Sequence, residues 1–242
     1  MCTARARGCR LPSFAMLTRH RQAGFTLAEI SIVVVVFGLL LGVVVTSHAL
    51  IAQAQIKDTV QDFGRALAAL HAYSDRYAAA PGDDSRATVR WVGSAKNGTG
   101  DGFLSGAFQD MPPPGDPLTT PTVDATQGET LNFWWHLRLG GFVQQSPGIA
   151  NPAMPPANGF GGIVGVQQTG LGLPSLIVCL SSLPDRIAAG VESQLDDGLP
   201  LTGVVRGVMQ TSSASTQALN SATPVTVYEE TGALRYILCR AS

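Results

Sequence analysis

Glu29 is the only carboxylate among the first 57 residues, and it stands directly before residues 30–56, which contain no Asp, Glu, Lys or Arg. A lone charge at the mouth of so apolar a segment is costly in lipid, which marks it as functional. Histidine is the next candidate for chemistry. Beyond residue 24 there are His48, His71 and His136, none of them in an H-E-x-x-H pattern, and the sequence has no G-x-S-x-G or phosphate-binding loop. Asn97, Thr99 and Asp101 set oxygen-bearing side chains at alternate positions ahead of Gly102, as at the front of a calcium loop. The twelfth position from Asn97 is Phe108, where such a loop carries glutamate. A glycine-rich turn is therefore the favoured reading and calcium the alternative; no other cofactor is expected.

These residues need elements to hold them. About 20 apolar residues span a bilayer, so residues 30–56 suffice for one pass, and lipid forces them into a helix despite their many valines. Past the span, Ile56, Val60, Phe63, Leu67 and Leu70 follow 4-3-4-3 spacing, with Lys57, Asp58, Asp62 and Arg65 off the stripe. This predicts an amphipathic continuation of the same helix. It should stop before Pro81, because the residue preceding proline is pushed out of helical geometry. Residues 25–80 at about 1.5 Å each make a rod of roughly 84 Å. Gly38 and Gly42 form G-x-x-x-G within the span, a spacing that lets helix backbones approach closely; the alternative is that glycine is simply common in membrane helices.

Residues 81–128, dense in Gly, Pro, Asn and Asp, read as loop. A helix is expected over 129–139 with Phe133, Trp134 and Leu137 inward, ended by Gly140-Gly141, and Trp134 and Trp135 read as packing residues. Strands are expected at 163–168 and 173–180. A helix then starts at Pro184, carries Ile187, Val191 and Leu195 at four-residue spacing, and ends at Asp196-Asp197-Gly198. The remaining expected strands are 201–209, 225–230 and 233–239, the last two joined by a Thr231-Gly232 turn, with a Ser/Thr/Ala/Asn-rich loop over 211–222.

The N-terminal end is unlike an ordinary secretory signal. Arg5, Arg7, Arg10, Arg19 and Arg21 make it basic and no acid balances them, but no apolar run precedes a cleavage site; the apolar run follows it. Residues 24–32 read G-F-T-L-A-E-I-S-I. This segment, with its basic leader and apolar helix, resembles the class III signal of type IV pilins and pseudopilins. P-G-D-D from Pro81, W-x-H-L from Trp134, L-D-D-G-L-P-x-T-G from Leu195 and Y-x-L-C-R from Tyr236 are similar to pieces of a pilin-like subfamily with a large C-terminal region.

The resemblance implies that a prepilin peptidase cuts between Gly24 and Phe25 and methylates Phe25. It implies that Glu29 is retained for docking, accepting a charge-assisted hydrogen bond from a neighbouring subunit's Phe25 amine. It also implies an α+β pilin-like fold, a long N-terminal helix packed on a C-terminal antiparallel sheet with long loops. The expected organisation is a removed leader over 1–24, a transmembrane and stem helix over 25–80, and a periplasmic or extracellular domain over 81–242, whether synthesis starts at Met1 or Met16. The positive-inside rule puts the N-terminus in the cytoplasm of a bacterium, with the single pass in its inner membrane. Implied partners are the prepilin peptidase, other pilin or pseudopilin subunits, the inner-membrane assembly platform and the bilayer.

Removing the five leader arginines leaves 11 of 16 basic residues against 17 acidic ones, about −6, so no nucleic-acid footprint is evident. Cys2 and Cys9 leave with the leader, and Cys179 and Cys239 remain as an even pair in an oxidising compartment, which reads as a disulfide, with two unpaired buried thiols as the alternative. Thr46 and Ser47 stand where major pilins often carry proline, which favours a pseudopilin or minor pilin, and the presence of Glu29 argues against the tip pseudopilins. The expected function is a structural subunit of a type IV pilus or type II secretion pseudopilus, not an enzyme. The alternatives are a ligand-binding minor pilin for adhesion or DNA uptake, and a membrane-anchored periplasmic enzyme.

Overall fold

The computed structural model describes residues 24–112, 128–144, 151–211 and 219–242. The expected leader up to residue 23, with Cys2, Cys9 and Met16, lies outside them, as do parts of the expected loops (113–127, 145–150 and 212–218). The chain divides into two compact units, residues up to Ser47 and residues from His48 onward.

Helix α1, Leu27–Tyr77, contributes to both. In the first unit its apolar side chains are exposed, Phe37 by 61% and Leu41 by 66%. It is the one helix among the described residues long and apolar enough to cross a membrane. In the second unit the amphipathic stripe is the buried face. Phe63, Leu67 and Leu70 are inside, Ile56 and Val60 are partly covered, and Tyr73 and Tyr77 extend the row by two further turns. Ala78 takes a left-handed φ of 51°, which closes α1 at Tyr77, short of the boundary that Pro81 sets.

A short helix α2 (Ala87–Arg90) interrupts the first loop region, and α3 spans Glu129–Leu139, the segment expected. Its inward residues are more numerous than an amphipathic helix requires: every residue from Glu129 to Leu137 is buried, Trp135 as well as Trp134. The sheet is four-stranded and antiparallel in the order β1-β2-β4-β3, with β1 Val164–Gln167, β2 Ile177–Pro184, β3 Val205–Met209 and β4 Arg235–Ala241. Both faces are covered, so β2 and β4 read as apolar runs. Val178, Leu180, Tyr236 and Leu238 join the core shared with α1, α3 and α4, and Ile177, Cys179, Ile237 and Cys239 point to a second cluster with Phe108, Leu171 and Leu219. Burying such side chains contributes about 1.5–3 kcal/mol each.

Helix α4, Asp185–Leu195, starts where it was expected, with Pro184 as its N-cap residue, and the same proline closes β2. At Gly190 the helix comes so close to α1 that an added Cβ would lie 2.3 Å from Ile56 Cδ1. Residues 225–230, expected as a strand, are not one. The alternation of V-T-V-Y suggests a strand, but side chains anchor the segment from outside the ladder: the Tyr228 hydroxyl donates to Glu192 and the Glu229 N–H donates to the Tyr236 hydroxyl. The Thr231-Gly232 turn therefore joins no hairpin. Residues 201–204 are likewise turn, and β3 starts at Val205.

Candidate functional site

At the N-terminal end Gly24 and Phe25 precede the helix, and Phe25 is 81% exposed. Thr26 caps α1. Its hydroxyl accepts the Glu29 N–H at 3.2 Å, and the Glu29 carboxylate takes the Thr26 N–H and hydroxyl at 2.8 Å each. This reciprocal capping box satisfies donors that the first turn would otherwise leave free. The T-x-x-E spacing was its signal, overlooked when Glu29 is read only as a charge. The carboxylate remains exposed, with lone pairs left for a further donor. Among the described residues, a Cβ added at Gly38 or Gly42 would meet nothing within 4 Å.

In the second unit, the end of α1 is latched by Pro81-Gly82-Asp83-Asp84, all buried. The Tyr73 hydroxyl donates to Asp84 Oδ2 at 2.6 Å, and Arg90 pairs with the same carboxylate while lying 4.6 Å from the Tyr77 ring centre. Burial pushes the Tyr73 hydroxyl pKa up. Gly82 has φ +92°, and a side chain there would run into the Glu129 carbonyl at 2.6 Å. Its N–H donates to His136 Nδ1 at 3.0 Å, and His136 Nε2 lies 2.7 Å from the Lys96 carbonyl. His136 is thus the neutral Nε2–H tautomer, and burial holds it down at about 4. The histidine that an enzyme reading would enlist is fully occupied in tying three segments together.

Asn97, Thr99 and Asp101 each have partners within the protein. Asn97 Oδ1 accepts the Thr88 N–H, Asp101 Oδ1 accepts the Phe103 N–H, and the Thr99 hydroxyl donates to Asp83 and Glu129. A carboxylate oxygen of Asp101 does lie within 4.8 Å of one each from Asp83 and Glu129. Asp83 and Glu129 are already answered by protein donors. Asp83 takes the N–H groups of Gly100, Asp101 and Gly102, and Glu129 takes those of Thr99 and Ser105. The glycine-rich turn is wrapped around buried carboxylates distant in sequence, a partner set that local spacing does not reveal.

A second carboxylate group, Glu192, Asp196 and Asp197, also brings one oxygen from each within 4.8 Å of the others. Glu192 is fully buried, its Oε2 accepts the Tyr228 hydroxyl at 3.0 Å, and its Oε1 has no partner. Burial pushes its carboxyl up to about 8; the Tyr228 bond opposes this, and the charges of Asp196 and Asp197 add to it. Asp197 is exposed, and hydrogen bonds from the Thr202 hydroxyl and the Leu199 N–H pull its carboxyl below the usual range.

Cys179 and Cys239 face one another directly across β2 and β4 and are bonded, with Cα atoms 4.1 Å apart. Facing residues in an antiparallel pair come this close only at the narrow positions.

Comparison with known proteins gives one finding. Residues 19–45 match the family model described as the prokaryotic N-terminal methylation motif. No curated protein and no solved structure matches the chain. The matched residues include Gly24, Phe25, the Thr26–Glu29 capping box, Gly38 and Gly42, and the motif with the apolar helix behind it fits a membrane-anchored protein. The chain carries the class III prepilin signal of type IV pilins and pseudopilins.

Proposed function

We propose that this protein is a filament subunit of a type IV pilus or type II secretion pseudopilus. A prepilin peptidase cuts it between Gly24 and Phe25 and methylates the Phe25 amine. Residues 30–56 anchor it in the inner membrane, N-terminus inward, until an assembly platform draws it into a filament. The observation that carries this reading is the methylation motif leading into a helix whose apolar side chains find no cover in their own unit. An exposed apolar surface of that size needs lipid or other protein against it, and a filament core of packed spans supplies the second after a membrane has supplied the first.

Within such a core Glu29 gives register. Apolar contacts between Val- and Leu-rich helices are unspecific, whereas a carboxylate that receives the Phe25 amine of the next subunit fixes one axial position. Gly38 and Gly42 would let neighbouring spans approach closely at one face. Mass spectrometry of N-terminal peptides from membrane fractions, in cells with and without the peptidase, tests the assignment. N-methylated Phe25 is expected only when the peptidase is present, and a mature start downstream of residue 56 would sink it.

A further inference from the structure

We propose that residues 225–230 are a pH-sensitive strap on the outer side of β3, closed while Glu192 is a neutral carboxylic acid and released when Glu192 ionises. The segment forms no ladder and is held at few points. The Val225 N–H donates to the Gly207 carbonyl at 2.9 Å, and the Glu229 N–H donates to the Tyr236 hydroxyl at 3.0 Å. Tyr228 is its one buried side chain. The ring lies edge-on to Tyr236 at 5.0 Å, and so close over β3 that a Cβ added at Gly207 would stand 2.3 Å from the hydroxyl. That hydroxyl donates to Glu192 Oε2 at 3.0 Å, a bond that ties the strap to α4.

What Glu192 meets decides its protonation. The side chain is fully buried; among the described residues its Oε2 has the Tyr228 hydroxyl and its Oε1 has no donor. A carboxylate in water keeps several donors, so an anion here would be short of them. The surrounding charges give no relief. Asp196 and Asp197, from the turn after α4, repel an anion. Tyr236 and, by strand alternation, Arg240 lie on the face of β4 that joins the α4 core, and among the described residues no ion pair links Arg240 to Glu192. From α1 the side chain that meets α4 at Gly190 is apolar Ile56, and β3 brings Val205, Gly207 and Met209, none of them charged.

Burial therefore raises the carboxyl to about 8 under the closed strap, against an ordinary 4.5 once it reaches water. The closed form is favoured in full below pH 4.5, loses favour about tenfold per pH unit above it, and has lost all of this advantage above about 8. Of the segments around Glu192, the strap is the one outside the helices and the sheet, so it yields first. Its lifting frees the Gly207 carbonyl on the outer edge of β3, an acceptor that an added strand can use.

Hydrogen exchange read by mass spectrometry on the full chain in detergent micelles tests this, with rates corrected for the pH dependence of intrinsic exchange. Between about pH 6 and about pH 8.5 the opening of residues 225–233 should rise roughly tenfold or more, while β2 and β4 hold steady. Glu192→Gln, neutral at every pH and still an acceptor for Tyr228, should flatten the rise. A chain labelled with carboxyl carbon-13 glutamate should show one group titrating at about 8, and the opening of the unmutated chain should level off where that titration ends, a check that stands even where the variant fails to fold. Opening that does not change with pH overturns the proposal. So does an unaltered slope in Glu192→Gln, or a labelled chain in which no glutamate titrates above the ordinary carboxyl range. Cleavage and filament assays do not enter, so failure here leaves the subunit reading untouched.

Discussion

Two phenylalanines on one helix, Phe37 and Phe63, meet opposite surroundings. Phe37 is 61% exposed among neighbours that are apolar all round, whereas Phe63 is wholly buried on a stripe flanked by Asp62 and Arg65. The sequence difference is periodicity. Where the charges Lys57, Asp58, Asp62 and Arg65 all fall off the stripe, the helix has one face to bury and its own domain covers it. Where no charge occurs, no face is distinguished and the whole circumference needs an apolar phase from outside the chain. Glu29 stands at the edge of that second regime, half committed to its own Thr26 and half open.

The strongest way to break the comparison is at Glu29. Glu29→Ala should leave membrane insertion and cleavage intact while sheared filament yield collapses, because a charge-assisted contact of about 1.5–3 kcal/mol is lost at every subunit. Glu29→Gln sharpens the point: it keeps the capping box, which accepts Glu or Gln, but removes the charge, so it should fail in assembly nearly as badly. Normal assembly of either variant as the sole subunit would mean that the carboxylate does not dock a neighbour.

Next comes a paired truncation. Phe63→Ala should cost about 3–5 kcal/mol of domain stability in urea, as large-to-small changes in cores do. Phe37→Ala, read by the same unfolding signal, should change it by under about 0.5 kcal/mol. Equal effects would mean that the exposed stretch is covered after all by its own chain.

A smaller effect concerns His136. Its folded pKa is held near 4 against an ordinary value of 6.5, so between these values the unfolded chain binds more protons than the folded one. The stability is full above pH 6.5 and is lost as pH falls towards 4, by roughly 3 kcal/mol. Urea titrations at about pH 7 and pH 4.5 should show the loss, and His136→Gln should flatten it. An unchanged pH slope in that variant would place the titration elsewhere.

Much of this molecule was legible in residue order. The stripe from Ile56 to Leu70 and the helix over 129–139 follow from periodicity and glycine stops, since both signals are local. The failures share a cause of the opposite kind. Residues 225–230 alternate like a strand, but Tyr228 reaches Glu192, 36 residues away, and that anchor lies outside any window. Asp101 was legible as a loop acid, whereas Asp83 and Glu129, which organise the turn around it, are 46 residues apart and announce nothing by spacing. Thr26 was a different case: T-x-x-E was in plain view, and the charge on Glu29 drew attention from the hydrogen bonds it makes.

The order of the strands has a consequence for how a ribosome's mistakes are handled. β4 lies in the middle of the sheet, between β2 and β3, although it comes after both in the chain. A product that stops short of Arg235 therefore lacks the strand that joins the other two, and it also lacks Cys239. β3 then has no neighbour and β2 keeps a bare edge, the kind of surface on which aggregation and proteolysis act. The fold thus closes only in copies that contain residues 235–241, and in the filament proposed above a copy without them would be a defective member that interrupts the line.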